Sequence, residues 1–236
     1  MKKIFIFFVI LLLTGCNVQY DLTITNKEEV REKFYVFVDN NTIDNSNMSK
    51  DEYLDYYSNL YLQNSGYENY KVDTKKGENI SSFVITRNYS NLNDYITSVS
   101  FKNMFNSARI EKIGSYTSFE TSKNQFLENI KNDEIVSEDI KKNTYTINIK
   151  FYNEVVNHNA DEIDEKNNIY TWIVNKDTTK DNLYFKIGPN VRYDVMIKDY
   201  IQNNLLTLII VAIVVIVILI SSLYIYIKIK KNNEID

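Results

Sequence analysis

The stretch LLTLIIVAIVVIVILISSLYIYI, residues 205–227, decides how the rest of the chain is organised. It is apolar throughout apart from Thr207, Ser221, Ser222 and two tyrosines near its end. At about 1.5 Å of rise per residue, a helix of this length reaches roughly 34 Å, whereas the hydrocarbon core of a bilayer is about 30 Å thick. The sequence therefore predicts a transmembrane helix over residues 204–227. The absence of a G-x-x-x-G motif favours a simple anchor.

The flanks of this stretch predict its orientation. Three lysines follow it at positions 228, 230 and 231, whereas the preceding segment 193–204 carries one lysine and two aspartates. Loops rich in lysine and arginine stay in the cytoplasm. We therefore expect a single-pass protein whose short tail, residues 228–236, is cytoplasmic and whose preceding domain lies outside the cell membrane.

The N-terminus reads as a secretory signal. Lys2 and Lys3 precede ten apolar residues, 4–13, and the segment ends in Leu-Thr-Gly-Cys at residues 13–16. These four residues resemble a bacterial lipobox, in which the cysteine receives a diacylglyceryl group. Cys16 is the only cysteine in the chain. We therefore expect residues 1–15 to be a lipoprotein signal peptide and Cys16 to be a lipid anchor, so that the membrane holds both ends of the domain 16–203.

The domain between the two anchors reads as α+β. Apolar and polar residues alternate from Val18 to Thr25, which predicts a half-buried strand that forms a hairpin with Phe34–Val38. The segment 39–48 is polar and predicts a loop. Ser49 and Glu52 form a capping box that opens a helix ending near Gly66. Further strands are expected at 67–75, 82–88, 110–113, 144–151, 169–174 and 183–187, the last two joined by a turn, and further helices at 91–105 and about 126–130. This pattern predicts an antiparallel sheet with two or three helices packed on it.

An aromatic stripe marks the first of these helices. Tyr53, Tyr57, Leu60 and Tyr61 recur at spacings of three and four residues and so share one helix face. This face either packs on the sheet, which we favour, or contacts a ligand. Trp172, on a predicted strand, is a candidate for the same role.

The segment NEVVNHNADEIDEKNNIYTWIV, residues 153–174, combines a strand, an Asn-Ala-Asp turn at 159–161 and a second strand bearing Trp172. With the early DLTIT strand and the two anchors, it resembles the LppM-like lipoproteins over most of the chain. The resemblance implies an envelope lipoprotein with an outward α+β domain and a lipid or glycolipid ligand.

The residues offer little for catalysis. The single histidine, His158, is expected in a polar turn, and no G-x-S-x-G, P-loop or G-x-G-x-x-G motif is present. The acidic segment 161–165 lacks the glycine that a calcium loop needs at its sixth position. The chain is also acidic, with a net charge of −4, which disfavours nucleic acid as a partner. We therefore expect no enzymatic activity, no cofactor and no bound metal.

Two functions are compatible with these features. The domain binds a lipid or other amphiphilic ligand between its sheet and its helices, or it serves as a protein-interaction or scaffolding subunit of an envelope complex through its many tyrosines. The first is preferred here. A hydrolase of envelope polymers would need two convergent carboxylates, and the sequence offers no candidate pair.

Overall fold

The computed structural model describes residues 17–65, 70–123, 145–174, 178 and 180–233. The predicted signal peptide, Cys16 and the helix expected about 126–130 lie outside these ranges. The chain divides into two units at Arg192, and each is described by itself.

Strands and short helices alternate irregularly along the first unit. In chain order the elements are β1 (Asn17–Ile24), β2 (Val30–Asp39), α1 (Asn40–Asp44), α2 (Lys50–Ser65), β3 (Lys71–Lys75), β4 (Ile80–Tyr89), α3 (Leu92–Ile96), α4 (Val99–Met104), β5 (Ala108–Ile113), β6 (Tyr116–Thr121), β7 (Tyr145–Phe151), β8 (Asn153–His158), β9 (Glu162–Asp164), β10 (Ile169–Val174) and β11 (Tyr184–Val191).

The strands form two sheets. The larger sheet has the order β3-β4-β2-β1-β7-β10-β9, and the smaller one has the order β5-β6-β11-β8. All neighbouring strands are antiparallel except β1 and β7, which run parallel. The α+β class is confirmed, with a second sheet beside the expected one. Both strands expected on either side of the polar segment 175–182 are present, as β10 and β11, and they belong to different sheets.

The core lies between the two sheets and beneath the helices. Alternation along β1, β2 and β7 buries every second side chain, so that one face of the larger sheet is apolar. Phe151 of this sheet meets Phe185 of the smaller sheet at 4.8 Å between ring centroids, edge to face. Phe185 also stacks on Phe119 at 4.9 Å. These rings hold the sheets together through burial and favourable aromatic geometry.

Capping residues determine where the short helices begin. The predicted capping box of α2 is present, since Glu52 N donates to Ser49 Oγ at 3.3 Å and Ser49 N donates to Glu52 Oε2 at 2.9 Å. The expected loop 39–48 is partly wrong, because Asp39 accepts from Asn41 N and starts α1. The single helix expected at 91–105 is two helices, since Ser98 accepts from Phe101 N and starts α4 anew.

The second unit is one helix, α5 (Tyr193–Asn233), of 41 residues. At about 1.5 Å per residue it is roughly 61 Å long. By length and composition α5 is able to cross a membrane, and it begins well before the predicted span. The sequence located the apolar run but not its helical extension toward residue 193.

Candidate functional site

A buried carboxylate lies on the inner face of the larger sheet. The alternation of β2 turns Glu32 inward, where its side chain is 1% exposed. Three tyrosine hydroxyls donate to it: Tyr20 to Oε1 at 2.6 Å, and Tyr70 and Tyr89 to Oε2 at 2.7 and 2.6 Å. We call this group, with two further neighbours, the Glu32 cluster: Tyr20, Glu32, Tyr70, Tyr89, Tyr95 and Ser100.

The electrostatics of the cluster keep the tyrosines protonated. Burial, followed by the charge of Glu32, raises the pKa of Tyr89 to about 12. The same two causes raise the pKa values of Tyr20 and Tyr70 well above their usual range. Arg87 lies opposite Glu32 in the backbone register of β2 and β4, and its guanidinium lies 4.9 Å from the ring centroid of Tyr89. The carboxylate has hydroxyl donors on both oxygens, an arrangement that stabilises a buried charge.

An apolar void adjoins this cluster between the two sheets. Leu22 and Ile149 line it from the larger sheet, Phe119 and Phe185 from the smaller one, and Tyr95 from α3. The Tyr95 hydroxyl is 3.0 Å from that of Tyr20, so the void ends at the Glu32 cluster. The free space holds about one water molecule, whereas pockets for small ligands occupy about 300–1,000 Å³. In this conformation the space among these residues is packed.

The aromatic stripe of α2 packs inward. Tyr53 is 2% exposed, and Tyr57 and Leu60 are half-buried against the core. The rings of Tyr53 and Tyr57 are 4.4 Å apart. The side chain of Tyr61 lies outside the described part of the chain. Tyr56, one residue off the stripe, is 51% exposed and meets Tyr57 edge to face.

Trp172 lies in a different part of the core. It stands on β10, four strand spacings or roughly 19 Å from β4, against which α2 packs. Its indole Nε1 donates to Asn159 Oδ1 at 2.7 Å, and Tyr184 N donates to the same oxygen at 2.8 Å. Asn159, in the turn after β8, thus links Trp172 of β10 to β11. The structure does not bring Trp172 together with the α2 stripe.

The residues weighed for catalysis have structural partners. His158 Nδ1 accepts from Ala160 N at 3.1 Å, and burial followed by the charge of Lys180 lowers the pKa of His158. Asp161 forms an ion pair with Lys180 at 2.5 Å. Among the described residues, no group of histidine, cysteine, aspartate and glutamate side chains is arranged to hold a metal ion.

The opposite face of the larger sheet carries a pair of aromatic rings and a row of polar side chains. Tyr35 and Phe37, both on β2 and half-buried, have parallel rings with centroids 6.0 Å apart. Beside them, Gln19 Nε2 and Asn148 Nδ2 donate to Asp21 Oδ1 at 2.8 and 2.9 Å, and Thr171 Oγ1 donates to Asn148 Oδ1 at 2.8 Å. We call this surface the outer face: Gln19, Asp21, Tyr35, Phe37, Asn148 and Thr171.

Sequence reasoning missed the outer face and the Glu32 cluster, although both leave a signal. Alternation along β2 places Tyr35 and Phe37 on the side opposite Phe34 and Val36. The same alternation places Glu32 on the apolar side. On β2, the residues that break the alternation of apolar and polar side chains therefore mark both features.

Comparisons with known proteins give one similar structure. No protein-family model and no curated protein matches the sequence. The fold is similar to the NMR structure of the folded domain of the Mycobacterium tuberculosis LppM protein, with a TM-score of 0.44 and 10% sequence identity over 76% of this chain and 92% of that one. A likeness of this extent does not establish a shared family.

Proposed function

We propose that this chain is a non-enzymatic envelope lipoprotein whose outward domain binds a protein partner through the outer face. The lipidated Cys16 and the span 205–227 hold the domain at the outer surface of the cell membrane, with the C-terminus in the cytoplasm. The observation that supports the proposal is the contrast between the packed space around Leu22, Phe119 and Phe185 and an accessible aromatic pair, Tyr35 and Phe37.

The outer face has the composition of a recognition surface. Aromatic side chains provide large contact area at low conformational cost, and they are enriched where proteins meet. The hydrogen bonds among Gln19, Asp21 and Asn148 hold the neighbouring polar groups in place before a partner arrives. A pre-organised surface loses less entropy on binding, so the same contacts yield higher affinity.

The test uses the full-length protein extracted from its host's membranes in mild detergent. On a native gel, we expect it to migrate in a complex with another envelope protein. The double variant Tyr35→Ser, Phe37→Ser should lose that complex. Tyr56→Ser, which removes an exposed tyrosine from α2, should retain it. A complex that survives the double variant, or a wild-type protein that carries no partner, contradicts the proposal.

A second candidate function is the binding of a lipid or glycolipid between the sheets. The observation that favours it is the position of Tyr95, which lines the apolar void and bonds to the polar Glu32 cluster. An amphiphile would place its tail in the apolar void and its head group against the Glu32 cluster. Because the void holds about one water molecule, α3 and α4 would have to move away from the sheets.

Lipid extraction and mass spectrometry of the purified full-length protein decide this second case. A stoichiometric lipid that stays through detergent exchange supports it. Leu92→Trp, which fills the void from α3, should displace that lipid, whereas Tyr56→Ser should not. A protein that retains its thermal stability but carries no stoichiometric lipid excludes a tightly held ligand.

A further inference from the structure

The strand β2 carries two cations beside the aromatic pair of the outer face. Its alternation places Arg31 and Lys33 on the same side of the sheet as Tyr35 and Phe37. Residues two apart on a strand are separated by roughly 6.6 Å, so the four side chains form one row of about 20 Å. We call Arg31, Lys33, Tyr35 and Phe37 the β2 row. It has two cations at one end and two aromatic rings at the other.

A third cation lies beside this row. Lys33 on β2 and Lys71 on β3 are both opposite Thr86 of β4, so the backbones of the two lysines are about 10 Å apart. The side chains of Arg31, Lys33 and Lys71 are exposed. None of the three forms an ion pair with another residue of the described ranges. Their positive charges are therefore available to a binding partner.

Carboxylates alternate with these cations. Asp21 lies opposite Lys33 on β1, and Asp73 follows Lys71 by two residues on the same side of β3. A membrane surface rich in anionic lipid is uniformly negative, so it would meet both carboxylates with like charge. A protein surface, in contrast, can place a donor or a cation beside each carboxylate and an acidic group beside each cation. The mixed pattern of charge favours a protein over a lipid surface.

We propose that the partner of the outer face presents an acidic segment next to an apolar one. Its carboxylates bind Arg31, Lys33 and Lys71, and its apolar side chains cover Tyr35 and Phe37. Hydrogen bonds between these cations and carboxylates are charge-assisted, and the aromatic rings contribute buried area. The acidic segment belongs to the partner of the proposed function, on which this inference rests.

Charge reversal tests the acidic segment, with the full-length protein in a neutral detergent on the native gel. Like charges across an interface repel, so Arg31→Glu, Lys33→Glu should reduce the amount of complex at least about tenfold. Arg109→Glu, Lys102→Glu makes the same change of charge at exposed positions of β5 and α4, and it should retain the complex. Equal behaviour of the two double variants overturns the inference.

Carbodiimide cross-linking of the same complex tests the contact itself. The reagent joins a lysine amine to a carboxylate in contact with it through an amide bond and leaves as a urea. We expect mass spectrometry to find Lys33 or Lys71 joined to an aspartate or glutamate of another protein. Lys33→Arg, Lys71→Arg keeps both charges but removes the amines, so the complex should remain while these links disappear. A complex without such links, or with links only to carboxylates of this chain, overturns the inference.

The outcomes separate this inference from the proposed function. A wild-type protein without a partner, or a complex that survives Tyr35→Ser, Phe37→Ser, contradicts both. A complex that needs the aromatic pair but survives Arg31→Glu, Lys33→Glu contradicts the acidic segment alone. A complex that forms only when anionic phospholipid is added back shows that the cations bind lipid, and it also overturns the inference.

Discussion

Each face of the seven-stranded sheet carries residues that break its polar or apolar pattern, and the two sets differ in burial and hydrogen bonding. On the inner face the exception is Glu32, a carboxylate among apolar side chains, and its oxygens accept three hydroxyl donors. On the outer face the exceptions are Tyr35 and Phe37, aromatic rings among polar side chains, and they stay half-exposed. A buried carboxylate whose two oxygens both accept hydrogen bonds contributes to stability, whereas accessible aromatic rings are available for recognition. Substitutions on the two faces should therefore separate stability from binding.

The largest effect is expected at the centre of the inner face. Phe185→Ala removes a ring that is 1% exposed and contacts both Phe119 and Phe151. We expect the free energy of unfolding to fall by about 3–5 kcal/mol. Trp172, the only tryptophan in the chain, is buried and reports unfolding by its fluorescence. A loss no larger than that of Phe37→Ala on the outer face would contradict the comparison.

Removal of the buried carboxylate should have the next largest effect. Glu32→Ala leaves the hydroxyls of Tyr20, Tyr70 and Tyr89 without their acceptor and opens a cavity. We expect a loss of about 3 kcal/mol. Glu32→Gln keeps an acceptor oxygen and should lose less. Denaturant unfolding followed by Trp172 fluorescence measures both. If the two variants are equally stable, the carboxylate is not what holds the cluster together.

Alkaline pH should weaken the same cluster. The pKa of Tyr89 is raised from 10.0 to about 12 in the folded chain, so the unfolded state loses its proton first. The contribution of Tyr89 to stability is complete below pH 10 and declines as pH rises through 12, at about 1.4 kcal/mol per pH unit. Tyr89→Phe should lose this part of the decline. Unfolding midpoints of the wild type and of this variant at pH 9, 10.5 and 11.5 measure it, and parallel curves for the two proteins would contradict it.

Local signals predicted much of the fold. The period-two pattern of β1 and β7 and the capping box at Ser49 depend on neighbours in the chain, and each was found where expected. The pairing of β1 with β7 and the division into two sheets depend on contacts between distant segments. Alternation identifies which side of a strand is buried but not which strand lies beside it, so these features were beyond the sequence.

The candidate sites were harder to predict for the same reason. Tyr53 and Tyr57 were identified by helical spacing, yet the spacing could not separate packing from ligand contact. The Glu32 cluster combines side chains from β1, β2, β4, α3 and α4 with Tyr70, and only the folded chain brings them together around one carboxylate. In the sequence, the sign of this cluster is Glu32, an acidic residue at a position of β2 where the alternation places apolar side chains.

The smallest effect on stability is expected on the outer face, and it is the most informative. Tyr35→Ser, Phe37→Ser removes two half-exposed rings without opening a cavity, so the free energy of unfolding should change by less than about 1 kcal/mol per ring. The same variant should lose the partner complex completely. Trp172 fluorescence on heating and native gels of the same preparation measure both properties. If binding is lost only together with stability, the outer face supports the sheet rather than recognising a partner, and the contrast between the two faces fails.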